Sequence, residues 1–169
     1  MTEMVDLKEL SEEQFHQIAI DVINGETTLQ EVKGFSQEQM EAIYSVAYNF
    51  YQVGKYQDAT QVFSWLGLFN PFVPKYWMGL GASLQMAKEF ERALNAYAVA
   101  ALTSESEDPT PHLHAGECYL GTGNLEEALK AFQMAVDFGR DKEKYKKVYD
   151  KANALSQILK EKKEGDNHG

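Results

Sequence analysis

Four residues whose side chains can bind metals or act as nucleophiles lie close together in the C-terminal half of the chain. They are His112, His114, Glu117 and Cys118. His112 and His114 are two positions apart, so a helix would point them to roughly opposite sides and keep them from sharing a metal. A structural metal site needs about four converging ligands. The spacing therefore predicts no metal site, and Cys118 is predicted to be a small buried apolar residue rather than a nucleophile.

Two glycine-containing segments could in principle cradle a phosphate group. Gly79-Leu80-Gly81 lies within a predicted helix and lacks the strand–turn–helix setting of a nucleotide-binding loop. Gly121-Thr122-Gly123 lies in a predicted turn between two helices and is not followed by a Lys-Ser/Thr pair. We therefore predict that the chain uses no cofactor and is not an enzyme.

A stripe of tyrosines is the feature that most strongly indicates binding. Tyr44, Tyr48 and Tyr51 are spaced i, i+4, i+7, so they share one face of a helix. The positions assigned to the core of the same helix are Ile43, Val46, Ala47 and Phe50. The tyrosines therefore face elsewhere, where a ring face and a hydroxyl suit contact with a peptide. The alternative is that the tyrosines pack beneath the N-terminal segment.

An internal repeat identifies the elements that carry these residues. Ala59, Ala93 and Ala128 are 34 and 35 residues apart. An aromatic residue follows each alanine by four positions, and a small residue precedes it by twelve. These columns are Phe63, Tyr97 and Phe132, and Ala47, Gly81 and Gly116. The period and the columns resemble the tetratricopeptide repeat, in which each unit is a pair of helices and stacked units share a core.

Three such repeats predict an all-α solenoid with a helical segment at each end. The predicted helix pairs span 37–53 and 56–69, 74–87 and 90–103, and 110–121 and 125–138. Residues 37–142 hold the three repeats, at about 40–73, 74–108 and 109–142, and a cap helix follows at 143–163. Residues 164–169 are predicted to be a disordered tail.

Residues 1–36 are predicted to form a separate N-terminal helical segment. Ser11 is the predicted N-cap of its helix, and Gly25 ends that helix. The apolar face of this helix consists of Phe15, Ile18, Val22 and Ile23. Because this face has no partner within the repeats, we expect it to mediate dimerisation or to fold back on the first repeat.

Charge and composition exclude several classes of partner. The 169 residues carry a net charge of −10, and nucleic acid is not expected because the phosphate backbone favours Lys and Arg. No stretch approaches the roughly 18 apolar residues of a membrane helix, so direct membrane insertion is not expected. One cysteine precludes an internal disulfide, and the cytoplasm is the expected compartment. Residues 140–169 carry a net charge of +3, which predicts a solvated, lysine-rich terminal helix.

In a tetratricopeptide unit, the side of the first helix that carries the tyrosines lines a concave groove. The equivalent columns of the next two units are Met78, Ala82 and Gln85, and then Leu113, Glu117 and Leu120. With Tyr44, Tyr48 and Tyr51 they predict an aromatic and apolar groove. Repeat proteins that bind the acidic C-terminus of heat-shock chaperones use Lys, Asn and Arg in these columns, whereas tyrosines cannot neutralise a carboxylate. An extended apolar peptide is therefore the expected ligand.

Several segments resemble the class II chaperones of bacterial type III secretion. The similar segments are residues 25–29, 43–56, 78–81, 97–100 and 114–120, and the resemblance covers about residues 12–160. The resemblance implies a non-enzymatic cytoplasmic chaperone that binds hydrophobic translocator proteins before secretion. It also implies that a Pro- and Leu-rich extended segment of the translocator lies in the groove at Tyr44, Tyr48 and Tyr51, and that the chain forms a homodimer. A generic tetratricopeptide scaffold joining two folded partners is the alternative.

Overall fold

The computed structural model describes residues 10–104 and 107–166, apart from the side chains of Phe15 and Asp166. These residues are mostly helical and contain no strand, which confirms the predicted all-α class. The helices are α1 (Glu12–Asn24), α2 (Leu29–Val32), α3 (Gln37–Gln52), α4 (Tyr56–Phe69), α5 (Pro74–Met86), α6 (Phe90–Thr103), α7 (Thr110–Gly121), α8 (Leu125–Gly139) and α9 (Lys146–Asp166). None of these helices is long and apolar enough to cross a membrane.

Six of the helices form the three predicted pairs, α3 with α4, α5 with α6, and α7 with α8. Each helix from α3 to α9 packs against its neighbours in chain order, so the pairs stack into one array. The bounds of these six helices agree with the predicted bounds to within one residue.

Local sequence signals set the ends of the helices. Ser11 and Ser36 each accept a hydrogen bond from the backbone N–H three residues later, and the glutamine at that position completes a capping box. Pro74 opens α5 at a position where its missing N–H has no helical partner. Gly25 ends α1 with a φ of 74°, a conformation that glycine adopts readily.

Two glycines allow the helices of a pair to approach closely. A Cβ atom on Gly81 of α5 would lie 2.6 Å from the ring of Tyr97 on α6. A Cβ atom on Gly116 of α7 would lie 2.4 Å from the ring of Phe132 on α8. The aromatic ring of the second helix therefore occupies the space that a side chain on the first helix would need, as the repeat columns predict.

The last helix closes the open end of the third repeat. Ala152 of α9 is fully buried in a core cluster with Phe132 and Val136 of α8. This is the role of a cap helix in a repeat array. A short 3₁₀ turn at Glu143–Tyr145 precedes α9, which runs to Asp166. The predicted disordered tail is therefore wrong for residues 164–166, and residues 167–169 lie outside the described residues.

The first helix stands apart from the array. Within the described residues no other helix packs along α1. Ile23 is 82% exposed, while Ile18 and Val22 are partly buried. The side chain of Phe15, the fourth residue assigned to the apolar face, lies outside the described part of the chain. Among the described residues of this face, Ile23 is consequently open in the single chain.

One predicted core position is wrong. Val46 of α3 is 49% exposed, although Leu80, its counterpart in the second repeat, is buried. The physical reason is position in the array, because α3 and α4 cover one side of α5 whereas no earlier repeat covers α3. A column that is buried in the second repeat is therefore open at the start of the array.

Candidate functional site

A cleft of about 460 Å³ runs across α3, α5 and α7, the first helices of the three repeats. We call it the tyrosine cleft. Its lining residues are Tyr44, Tyr48, Tyr51, Phe63, Pro74, Lys75, Met78, Gly79, Ala82, Ser104, Asp108 and His114. Five of the nine predicted groove residues are among them, namely the three tyrosines with Met78 and Ala82.

The tyrosines give the cleft an accessible aromatic wall. Tyr48 is 48% exposed, and its ring stacks on that of Tyr44 with centroids 6.4 Å apart. The ring of Tyr44 also packs edge-to-face on the ring of Phe63 of α4, with centroids 5.7 Å apart, and this contact fixes the orientation of Tyr44. Burial raises the pKa values of Tyr44 and Tyr51, so both keep their hydroxyl protons and can donate hydrogen bonds near neutral pH. The described part of the N-terminal segment leaves Tyr48 open to solvent.

A lysine and a glutamate join the first two repeats at one side of the cleft. The Nζ atom of Lys75 on α5 lies 2.5 and 2.6 Å from the two carboxylate oxygens of Glu41 on α3. The same Nζ atom lies 4.7 Å from the centre of the Tyr44 ring, within cation–π distance. The hydrogen bond from Lys75 lowers the pKa of Glu41. The ammonium group therefore rests between a carboxylate and an aromatic face.

A network of polar groups lies at the third-repeat end of the cleft, and its centre is Glu117 of α7. The Glu117 carboxylate accepts hydrogen bonds from Gln85 of α5 at 3.1 Å and Lys151 of α9 at 2.5 Å. It also lies 2.9 Å from Nδ1 of His114. Burial alone would raise the pKa of Glu117, but the contacts with His114, Lys151 and Gln85 outweigh burial and lower it to about 2. Side chains of α5, α7 and α9 thus contact one ionised carboxylate.

We expect Glu117→Gln to lower stability near neutral pH. The native pKa of Glu117, about 2, lies below the ordinary value of 4.5, so its ionisation stabilises the fold above pH 4.5. That contribution falls away as the pH drops from 4.5 through 2. Urea unfolding of both proteins at pH 7, 4 and 3 measures it, and the difference between their midpoints should shrink steadily with pH. A difference that stays constant over this range would show that the carboxylate charge is not what stabilises the network.

Two family models match the repeats in this chain. Both describe the tetratricopeptide repeat, one over residues 40–66 and the other over residues 84–152. The matches cover parts of the helical array from α3 to α9, in agreement with the repeat columns.

Two curated relatives match most of the chain. The low calcium response locus protein H of Yersinia pestis is 31% identical over 158 residues, which cover 93% of this chain and 94% of that protein. The chaperone protein SicA of Salmonella typhimurium is 32% identical over 132 residues, which cover 78% and 79% of the two chains. The chain belongs to the class II type III secretion chaperones.

A solved structure of this family extends the likeness to the fold. The type III secretion chaperone SycD of Yersinia enterocolitica, crystallised with a peptide of the translocator YopD, is 31% identical to this chain. The two structures superpose with a TM-score of 0.71 over 76% of this chaperone and 97% of SycD. The likeness in fold therefore extends over most of the chaperone.

One of the nine predicted groove residues lies in the core instead, and a second is partly buried against that core. Leu113 is only 4% exposed and packs with Phe132 in the core cluster that α9 completes. Leu120 packs against the same cluster. The physical reason is that α8 and α9 cover the third repeat, so that part of its groove column becomes interior. The prediction that Leu113 lines the peptide-binding groove is therefore wrong, whereas that of Leu120 remains a prediction.

Gln85 and Glu117 lie near the cleft but are occupied by internal contacts. The side-chain amide of Gln85 donates to Glu117 and accepts a hydrogen bond from the Tyr97 hydroxyl at 2.7 Å. Glu117 is the acceptor of the network described above. Both residues therefore position the end of the cleft, and their direct contact with a peptide remains a prediction.

Lys75, Asp108 and His114 line the cleft but were not predicted to do so. Lys75 precedes Met78 by almost one helical turn, and His114 is next to Leu113 in the chain. Because the cleft is wider than a single i, i+4, i+7 stripe of side chains, residues next to that stripe also line it. The helix positions that flank the stripe therefore predict Lys75 and His114. Asp108 lies in a loop between repeats, where helical spacing gives no signal.

The candidate chemical residues have separate surroundings. His112 meets the ring of Phe138 at 5.1 Å, whereas His114 stacks on Tyr97 at 5.4 Å. Cys118 is fully buried, and that burial, with the nearby Glu117 carboxylate, raises its pKa to about 12. The prediction of a buried cysteine is confirmed, and a thiol in this environment is a poor nucleophile. Within residues 10–104 and 107–166, no three His, Cys, Asp or Glu residues are arranged to hold a metal ion.

Proposed function

We propose that this protein is a non-enzymatic cytoplasmic chaperone of a bacterial type III secretion system. In this proposal the tyrosine cleft binds an extended segment of a hydrophobic translocator protein and keeps the translocator soluble and competent for secretion. The observation that carries the proposal is the open aromatic cleft across α3, α5 and α7. Its support from relatives is the complex of SycD with a peptide of the translocator YopD.

The chemistry of the cleft suits an apolar, extended ligand. Tyr48 offers an exposed ring face to leucine or proline side chains, and the Tyr44 and Tyr51 hydroxyls can bond to peptide backbone groups. An extended peptide leaves its backbone groups free for such bonds. The net charge of −10 keeps the outer surface hydrated while an apolar segment is bound.

Co-expression with a hydrophobic translocator tests this proposal. The chaperone should move the translocator from the insoluble to the soluble fraction and should co-purify with it. A scaffold that joins two folded partners has no such effect on an apolar protein. A translocator that stays insoluble in the presence of folded chaperone would contradict the proposal.

We also propose that α1 mediates formation of a homodimer. Its candidate contact residues are Phe15, Ile18, Val22 and Ile23. Support comes from Ile23, which is 82% exposed, and from the lack of any described helix packed along α1. Exposed apolar residues of this kind are typical of contact surfaces.

Deletion of residues 1–24 should convert the dimer to a monomer. The repeats should stay folded, because their core clusters contain none of the described side chains of α1. Light scattering on the full chain and on the truncated chain measures the change, and circular dichroism checks that both are helical. An unchanged mass for the truncated protein would rule out dimerisation through α1.

A further inference from the structure

We propose that the tyrosine cleft selects a translocator segment in which a lysine or arginine stands close to the apolar residues. The inference rests on the proposed function and deepens it, because it specifies the charge of the bound segment. The feature of the cleft that carries it is Asp108, a lining residue that forms no ion pair in the described part of the chain.

Asp108 supplies a negative charge to one wall of the cleft. It belongs to the loop between α6 and α7 and lines the same cleft as the tyrosines. One carboxylate oxygen accepts a hydrogen bond from the backbone N–H of Thr110 at 2.8 Å, which fixes the side chain. Asp108 forms no ion pair with any residue in the described part of the chain. Its charge is therefore available to a ligand.

The loop that carries Asp108 is anchored to the rest of the array. Lys142, which follows α8, donates to the Glu107 carboxylate at 3.1 Å and to the Glu107 backbone carbonyl at 3.3 Å. Asp108 is partly buried where it lines the cleft. The aspartate is thus held in a defined place beside the ligand path.

Another part of the cleft lining already holds an ammonium group, that of Lys75. Nζ of Lys75 lies between the Glu41 carboxylate, at 2.5 and 2.6 Å, and the Tyr44 ring, at 4.7 Å. This arrangement combines a carboxylate with an aromatic face, and both attract cations. Lys75 fills this position itself, so Glu41 is neutralised and the charge of Asp108 is the one left for a ligand. The exposed ring of Tyr48 offers a further face beside that of Tyr44.

Charge complementarity then decides the chemistry of the ligand. Among the described lining residues, the two basic side chains are already engaged, Lys75 with Glu41 and His114 with Glu117. The charge left for a ligand is that of Asp108, in a chain of net charge −10. A basic residue in the bound segment is attracted by this charge, whereas an acidic residue is repelled.

The experiment uses the full-length chaperone and fluorescent peptides. Each peptide has twelve residues, blocked ends and a Pro- and Leu-rich sequence, with one position at a time changed to Lys, Met or Glu. Fluorescence anisotropy gives the dissociation constants. At the position nearest Asp108 we expect Lys to bind about fivefold more tightly than Met, the size expected of one partly exposed ion pair. The glutamate peptide should bind more weakly than either.

Asp108→Asn tests the source of the preference. The amide oxygen of asparagine can still accept the Thr110 hydrogen bond, so the loop keeps its anchor while the charge is removed. The ratio of Lys to Met affinity should fall from about five to about one. The matched control is Asp137→Asn on α8, which removes the same charge outside the cleft and should leave the ratio unchanged.

The outcomes separate this inference from the function on which it rests. Equal affinity for the Lys and Met peptides at every position, or an unchanged ratio in Asp108→Asn, would overturn the charge preference while peptide binding itself stands. Tighter binding of the Glu peptides would overturn it as well. If no peptide binds, the proposed function fails and the preference fails with it.

Discussion

Replacing Tyr97 with alanine is expected to cost about 3–5 kcal/mol of folding free energy. The ring is 1% exposed, fills the space above Gly81 and stacks on His114. Its removal leaves a cavity between the second and third repeats and takes away the hydroxyl that donates to Gln85. Since whole domains are stable by about 5–15 kcal/mol, the variant should melt far below the parent protein or fail to fold.

Two related substitutions calibrate this effect. Tyr97→Phe keeps the ring and removes only the hydrogen bond to Gln85, so it should cost about 1 kcal/mol. The stability cost of Trp77→Ala should fall between those of Tyr97→Ala and Tyr97→Phe. Trp77 is partly buried, and its indole N–H donates to the Pro71 carbonyl at 2.7 Å. Thermal melting by circular dichroism ranks all three. If Tyr97→Ala melts no lower than Tyr97→Phe, the ring does not support the core as described.

Replacing Tyr48 with alanine should instead weaken cargo binding while the fold is retained. Tyr48 is 48% exposed and lines the tyrosine cleft. Truncation of a central aromatic anchor costs about 2 kcal/mol of binding, or roughly thirtyfold in affinity. Stability should change by about 0.5 kcal/mol or less, as is usual at exposed positions. Co-purification of a translocator and thermal melting, measured on the same preparation, separate the two effects.

The matched control for Tyr48 is Leu68→Ala on α4. Leu68 is also an exposed apolar residue, but it does not line the cleft, so cargo capture should be unchanged. If Tyr48→Ala lowers the melting temperature as much as Tyr97→Ala does, the tyrosine belongs to the core. If Tyr48→Ala combined with Tyr51→Ala leaves cargo capture intact, the translocator binds elsewhere.

The repeat period was enough to predict the helical array and part of the cleft. The spacing of Ala59, Ala93 and Ala128 defined the registers of three helix pairs, and the tyrosine stripe on α3 lies in the cleft as predicted. These features are local, because each depends on one helix and its partner within a repeat. When equivalent positions of successive repeats hold similar residues, the same local packing can therefore be predicted for each repeat.

The errors arise where the array begins and ends. Val46 is open because no repeat precedes α3, and Leu113 is buried because α8 and α9 cover the third repeat. The same columns hold Leu80 and Met78 in the second repeat, which has a neighbour on each side. A repeat pattern in the sequence predicts the central repeat best. A terminal repeat has another repeat on one side only, and its other side faces solvent or a cap helix.

The polar parts of the cleft could not be predicted from a single stripe. Glu117 is held by Lys151, a residue of α9 that lies 34 positions away and outside the repeats. Asp108 reaches the cleft from a loop whose path is set by Lys142 and by the start of α7. Such contacts depend on how the elements pack, and neither helical period nor repeat spacing encodes them.

Site-specific photo-crosslinking tests the central claim most directly. A p-benzoylphenylalanine placed at position Tyr48 lies in the cleft, whereas the same group at position Leu68 lies on the outer surface of α4. With a translocator co-expressed, illumination should produce a chaperone–translocator adduct from position 48 and none from position 68. Adducts of equal yield at both positions, or an adduct from position 68 alone, would contradict binding in the tyrosine cleft.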